Sequence, residues 1–233
     1  MLATAAYNNS ELDIPLEKVT LKGQLTIPEN AYGLVLFVHG SGSSRLSPRN
    51  QHVARTLQHH GIGTFLFDLL SREEEEVDEI DRHLRFDIPM LASRLSAVTH
   101  WLNTTGLSQN LPLGYFGAST GAAAALIAAV SHSKRIVAVV SRGGRPDLAM
   151  KVLNHVHSPT LFIVGGLDHD VLELNQQAFN GLTCEKKLIV VPGATHLFEE
   201  PGTLEQVAEH AAKWFEKHMH VPEHRRAGLP SSQ

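Results

Sequence analysis

The chain has 233 residues, a formal net charge of -4 at neutral pH, 42% hydrophobic and 19% charged residues, and a single cysteine. That length suits one large α/β domain or two small ones, the charge leaves no basic face for nucleic acid or an anionic membrane, and the lone Cys184 excludes an internal disulfide framework. No window is long and apolar enough to span a membrane, and Met1 to Ser10 has neither the basic start nor the apolar run of a secretion signal, so a small soluble partner and a cytoplasmic location are expected.

The first segments alternate as half-buried strands do. Leu12, Ile14 and Leu16 recur at two-residue spacing, followed by Val19, Leu21, Leu25 and Ile27, which predicts an antiparallel opening to a sheet. Leu34 to Val38 is apolar without alternation, as in a central strand covered on both faces, and runs into His39-Gly40-Ser41-Gly42-Ser43-Ser44. The spacing of Val53, Ala54 and Leu57 predicts a helix from Pro48 to His60, ended by Gly61, and Thr64 to Leu69 reads as another strand. The charged run Arg72 to Asp81 reads as a solvated loop or short exposed helix, or else as a flap beside a ligand site at the carboxyl ends of the strands.

Ile88 to Thr105 carries Leu91, Leu95, Val98 and Leu102 at helical spacing. Strands are predicted again at Ile136 to Val140, Thr160 to Val164 and Leu188 to Val191. Helices are predicted at Ala149 to Leu153, Leu172 to Leu182 and Leu204 to His218. Strands therefore alternate with helices from Leu34 onward, the pattern of a mostly parallel, doubly wound sheet. Residues 1–220 read as a single domain, and the Pro-, Gly-, Ser- and Arg-containing stretch 221–233 as a flexible tail. The segment between Ser141 and Thr160 has room for a helix but not for a cap domain.

Chemistry is concentrated at Gly117-Ala118-Ser119-Thr120-Gly121, which follows the apolar run from Leu113 and opens the Ala-rich run Ala122 to Ala125. Strand, Gly-x-Ser-x-Gly and helix together make the pattern of a nucleophile elbow. A serine hydroxyl needs a base and a carboxylate that orients the base, and in this architecture the order is Ser, acid, His on loops after successive strands. Asp168 follows the strand ending at Val164, and His196 follows the one ending at Val191. Asp170, two residues on, is the alternative acid. The expected oxyanion donors are the backbone N–H groups of Thr120, at the head of a helix, and of Ser41, after the Leu34 to Val38 strand.

These residues give the chain a resemblance to the α/β-hydrolases, and within them to the small, capless dienelactone hydrolase-like proteins. It runs from about Leu34 to His218 through His39-Gly40-Ser41-Gly42, the Ser119 elbow, Gly165 to Asp168 and His196. The resemblance implies an α/β-hydrolase fold and a cofactor-independent hydrolase acting on carboxylic esters or lactones. Dienelactone hydrolases proper use a cysteine nucleophile; Ser119 in its place points to a general serine esterase.

The other candidates are weaker. Arg142 follows a buried strand, where it reads either as a loop anchor or as a clamp for a substrate carboxylate, and Arg45 is a second candidate of that kind. His39 reads as a structural residue pinning the oxyanion loop. Gly40-Ser41-Gly42 lacks the third glycine and the Gly-Lys-Ser/Thr of phosphate-binding loops, and neither His155-Val156-His157 nor His218-Met219-His220 has the neighbours of a metal site, so neither cofactor nor metal is expected. A non-catalytic ligand-binding protein and an acyltransferase or perhydrolase using the same triad are the alternative functions. The oligomeric state is open, a homodimer included.

Overall fold

A computed structural model describes residues 7–219; the expected flexible tail 221–233, and His220 of the His-Met-His run, lie outside the described residues. Eight strands form one sheet in the order β1-β2-β4-β3-β5-β6-β7-β8. Strand β1 (Tyr7–Pro15) pairs antiparallel with β2 (Thr20–Pro28), and β2 antiparallel with β4 (Ile62–Phe67). From β4 the sheet is parallel through β3 (Gly33–Val38), β5 (Leu113–Ala118), β6 (Ile136–Arg142), β7 (Thr160–Gly165) and β8 (Lys186–Val191). The non-alternating apolar runs belong to the interior strands: every residue of β3, β4, β5 and β7 is buried, whereas the edge strand β8 is half exposed.

Helices cover both faces. On one side α1 (Pro48–His59) packs through Val53, Ala54 and Leu57 beside α6 (Thr203–Met219), which contributes Val207, Ala211 and Phe215. On the other lie α3 (Ile88–Thr104), α4 (Thr120–Ser131) and α5 (His169–Gly181), with Leu95, Leu102, Ala124 and Ala178 in a common core. Ala122 to Ala125 are fully buried, because only methyl side chains let α4 lie this close to the centre of the sheet. The predicted short helix at Ala149 is longer than expected, running from Pro146 to His155, and is wound as a 3-10 helix. Among the described residues no cap domain stands over the sheet.

The charged run Arg72–Asp81 is helix α2. Its start is fixed by a capping box, in which Ser71 Oγ accepts from the Glu74 amide and the Glu74 carboxylate accepts from the Ser71 amide. Glu74 also receives Arg94 of α3, and buried Asp78 pairs with Arg85, so the helix is tied to its surroundings at both ends. No helix among the described residues is long and apolar enough to cross a membrane.

Candidate active site

The carboxyl ends of β3, β5, β6 and β8 and the loops that leave them meet at one place, a cavity of about 230 Å³ lined by Gly40, Ser41, Ser119, Arg142, His196 and Leu197 among others. Ser119 stands at the centre, half-buried, with φ 50° and ψ -124°. A serine gains nothing from such a backbone on its own account; the surroundings impose it. The Ser119 amide donates to the Arg142 carbonyl (3.2 Å), and the Ser119 carbonyl accepts from the amides of Ala122 (3.1 Å) and Arg145 (3.0 Å). The ends of β5 and β6 and the start of α4 together hold the turn.

Gly121 is bare for a reason other than the turn itself. A Cβ there would collide with the carbonyl oxygens of Val38 and His39, because the first turn of α4 runs across the end of β3. Gly40 has a similar role that the sequence did not reveal: a Cβ at this position would lie 2.9 Å from the Ser119 Cβ and 3.1 Å from the Ala118 carbonyl oxygen. The backbone of the β3 loop therefore passes directly against the nucleophile candidate.

Asp168 and His196 come from neighbouring strands and meet. His196 Nδ1 lies 2.6 Å from Asp168 Oδ2, with the carboxylate largely buried and the imidazole 39% exposed toward the cavity. Asp168 occupies the N-cap position of α5, yet its side chain makes no capping bond; the carboxylate is turned to the histidine instead. Asp170 is exposed in the first turn of α5, and no hydrogen bond joins it to His196. The histidine loop is clamped by Glu200, whose carboxylate accepts from both the amide and the hydroxyl of Thr195.

The Ser41 amide donates to Thr120 Oγ1 (3.0 Å), which ties the two residues expected to supply the oxyanion donors to each other. His39, buried behind them, accepts at Nε2 from the Leu69 amide (3.0 Å), and its Nδ1–H donates to the Gly40 carbonyl (2.9 Å). Both ring nitrogens are thus used by the neutral form, and burial lowers its pKa below 6.5, only partly opposed by the Gly40 bond and Asp68. The stability that His39 contributes is complete above pH 6.5 and is lost as the pH falls through the depressed folded value. Lowering the pH from about 7.5 to about 5.5 should reduce the urea midpoint, and His39→Gln should flatten that dependence.

The two arginines expected as substrate contacts differ in their surroundings. Arg45 is not among the residues lining the Ser119 cavity, and its amide and guanidinium both bind Asp68 (2.7 and 2.5 Å), which fixes the end of the 40–46 loop and neutralises its charge. Arg142 does line the Ser119 cavity, only 6% exposed, with Nη2 donating to Asn50 Oδ1 (3.2 Å) and its guanidinium 5.9 Å from the Phe198 ring centroid. Desolvation, and then the charge of Arg49, lowers its pKa to about 10. Arg49, Asn50 and Phe198 were not singled out by sequence. The signal for Arg49 was its place just after Ser47-Pro48, at the start of the helix that follows β3, which must lie at the same end of the sheet as Ser119.

A second cavity, of about 350 Å³, lies on the other side of the oxyanion loop and shares Gly40, Ser41 and Ser43 with the first. Leu69, Leu70 and Leu91 line it together with Glu75 and Glu79 of α2. The charged helix is therefore both partly solvated and a wall beside the site.

No family model matches the chain. Among solved structures, a dienelactone hydrolase from Anabaena variabilis ATCC 29413 is 52% identical and superimposes with a TM-score of 0.90 over 92% of this chain and 99% of that one. This chain belongs to the dienelactone hydrolase family. Within the wider fold, Est1E from Butyrivibrio proteoclasticus shares 15% identity at a TM-score of 0.76, covering 90% of this chain and 98% of its own. A curated Mycobacterium tuberculosis (strain ATCC 25618 / H37Rv) relative named "Putative phosphoribosyl transferase" is 55% identical over 220 residues, which is 94% of this chain and 49% of the relative. The chain thus spans about half the length of the curated relatives it matches. Family membership brings the mostly parallel α/β-hydrolase sheet with it.

Proposed function

We propose that the chain is a serine hydrolase that cleaves carboxylic esters or lactones through an acyl-enzyme intermediate. The observation that carries this reading is the meeting, at one cavity, of Ser119 on a strained turn and His196 with its Nδ1 held by Asp168. With Nδ1–H donated to the carboxylate, Nε2 is the basic nitrogen. Ser119 Oγ attacks the substrate carbonyl and passes its proton to Nε2; the new oxyanion receives the amides of Thr120 and Ser41, the latter sharing its proton with the Thr120 hydroxyl. Collapse of the tetrahedral intermediate breaks the bond to the leaving oxygen, which takes the proton back from His196. Water, deprotonated by Nε2, then attacks the acyl carbonyl and frees Ser119 as the acid departs. No hydrogen bond joins Ser119 Oγ to His196 before substrate binds; such bonds commonly tighten only in the Michaelis complex.

A fluorophosphonate probe should add its mass at Ser119, and an unlabelled protein under conditions that label a control esterase would overturn the reading in favour of a non-catalytic ligand-binding protein. Product analysis with an added alcohol or peroxide acceptor separates hydrolysis from acyl transfer or perhydrolysis by the same triad. The assignment of the acid is tested separately. Asp168→Asn should lower kcat by about 10³–10⁴-fold, because the amide no longer holds the imidazole in the reactive tautomer. Asp170→Asn should leave it within about twofold; the opposite pattern would transfer the role to Asp170.

A further inference from the structure

The serine hydrolase reading explains Ser119, His196 and Asp168 but gives no role to two cations on the opposite wall of the same cavity. Arg142 is buried, and its guanidinium donates to the neutral Asn50 side chain; among the described residues its Nε has no hydrogen-bond partner. The ring of Phe198 packs near the guanidinium without neutralising it, and Phe198 itself is held at φ 56°. Arg49 Nε is likewise buried and, among the described residues, without a partner, while its Nη1 reaches Glu199 only at 3.5 Å, at the solvent edge. Among the described residues no Asp or Glu lines this cavity, and Asp168 is committed to His196 Nδ1. Ser47, the N-cap of the 12-residue α1, also lines it, so the positive end of that helix dipole faces the same space.

A desolvated guanidinium without a counter-charge is costly to fold around. A ligand that brings the missing charge would offset that cost. Resting on the serine hydrolase reading, we propose that Arg49 and Arg142 form an anion subsite beside Ser119 that binds a phosphate monoester group carried by the substrate. Two guanidiniums on different elements, a helix N-terminus and the neighbouring hydroxyls of Ser41, Ser43 and Ser47 offer more donors and more charge than a planar carboxylate uses. A dianion with three peripheral oxygens matches both. The substrate is then an ester or lactone that also bears a phosphate.

The test uses inorganic phosphate as the probe. In wild type, phosphate should inhibit hydrolysis of a neutral ester competitively, and in Ser119→Ala it should raise the melting temperature, each more strongly than acetate at equal ionic strength. Arg49→Gln, at a part-exposed site, and Arg142→Met should each weaken phosphate binding by about tenfold or more. Arg142→Met should melt no lower than the parent without phosphate, since an uncompensated buried charge is removed; a structural arginine would show the reverse. Arg72→Gln on α2 is the control and should change nothing. The proposal is overturned if phosphate neither inhibits nor stabilises, if acetate matches it, or if both arginine variants bind phosphate like wild type, which would put the ion elsewhere. Labelling of Ser119 without any phosphate effect would leave the hydrolase standing and remove the subsite. A phosphate shift in Ser119→Ala, with wild type inert to fluorophosphonate, would do the opposite.

Discussion

Ser119→Ala should lower the rate of p-nitrophenyl acetate hydrolysis by at least about 10⁴-fold, with the remaining activity due to the polarised cavity alone. The size of the loss follows from the division of labour. His196 and the two amides act on an oxygen that the alanine lacks, so their contributions disappear with it rather than persisting as separate increments. The melting temperature should stay close to that of wild type, because alanine keeps the backbone at φ 50° and removes a hydroxyl that no hydrogen bond restrains. Ser119→Gly provides a second reading of the same position. Glycine adopts φ 50° and ψ -124° without a clashing Cβ, and it should recover about 1 kcal/mol, some 2–4 °C, relative to alanine. Equal stabilities for the two variants would mean that the turn stores no strain. An active Ser119→Ala enzyme would end the nucleophile assignment.

Gly121→Ala should cost more stability than any other single methyl added near the site, about 3 kcal/mol or about 6–12 °C in melting temperature. Helix propensity alone argues the other way, since alanine in place of glycine favours a helix by about 1 kcal/mol. Packing decides the sign: the added methyl meets two backbone carbonyls of the β3 end, and backbone atoms do not rotate aside as a side-chain tip would. The relief must come from moving α4 away from β3, which also separates Thr120 from Ser41 and breaks the 3.0 Å bond between them. Activity should therefore fall together with stability. A Gly121→Ala protein that melts with wild type and turns over normally would show that α4 and β3 are less tightly apposed than described.

Much of this architecture is legible in the amino-acid sequence, for identifiable reasons. The interior strands appear as unbroken apolar runs because both their faces are covered, and the residues after Val164 and Val191 fall at one end of the sheet because the strands are parallel. What failed to show were partners distant in sequence. Arg45 reads as a candidate substrate contact because its partner Asp68 is 23 residues away, and Asp170 stays open as the alternative to Asp168 because only a turn in the backbone decides which carboxylate faces His196. Of the loop and helix readings that the charge of Arg72–Asp81 allows, Ser71 and Glu74, spaced as a capping box, favour the helix. Arg142 was placed by its strand, whereas its lack of a counter-ion was visible only once the cavity walls were assembled.

The loop from Gly40 to Ser44 serves as a party wall. Because Gly40, Ser41 and Ser43 face the Ser119 cavity on one side and the Leu70–Leu91 cavity on the other, any remodelling of that loop enlarges one room at the expense of its neighbour. Residues bordering a single room, such as Asn50 and Leu197 on the first side or Leu70 and Leu91 on the second, are the positions at which one compartment can be reshaped while the other is left as it is.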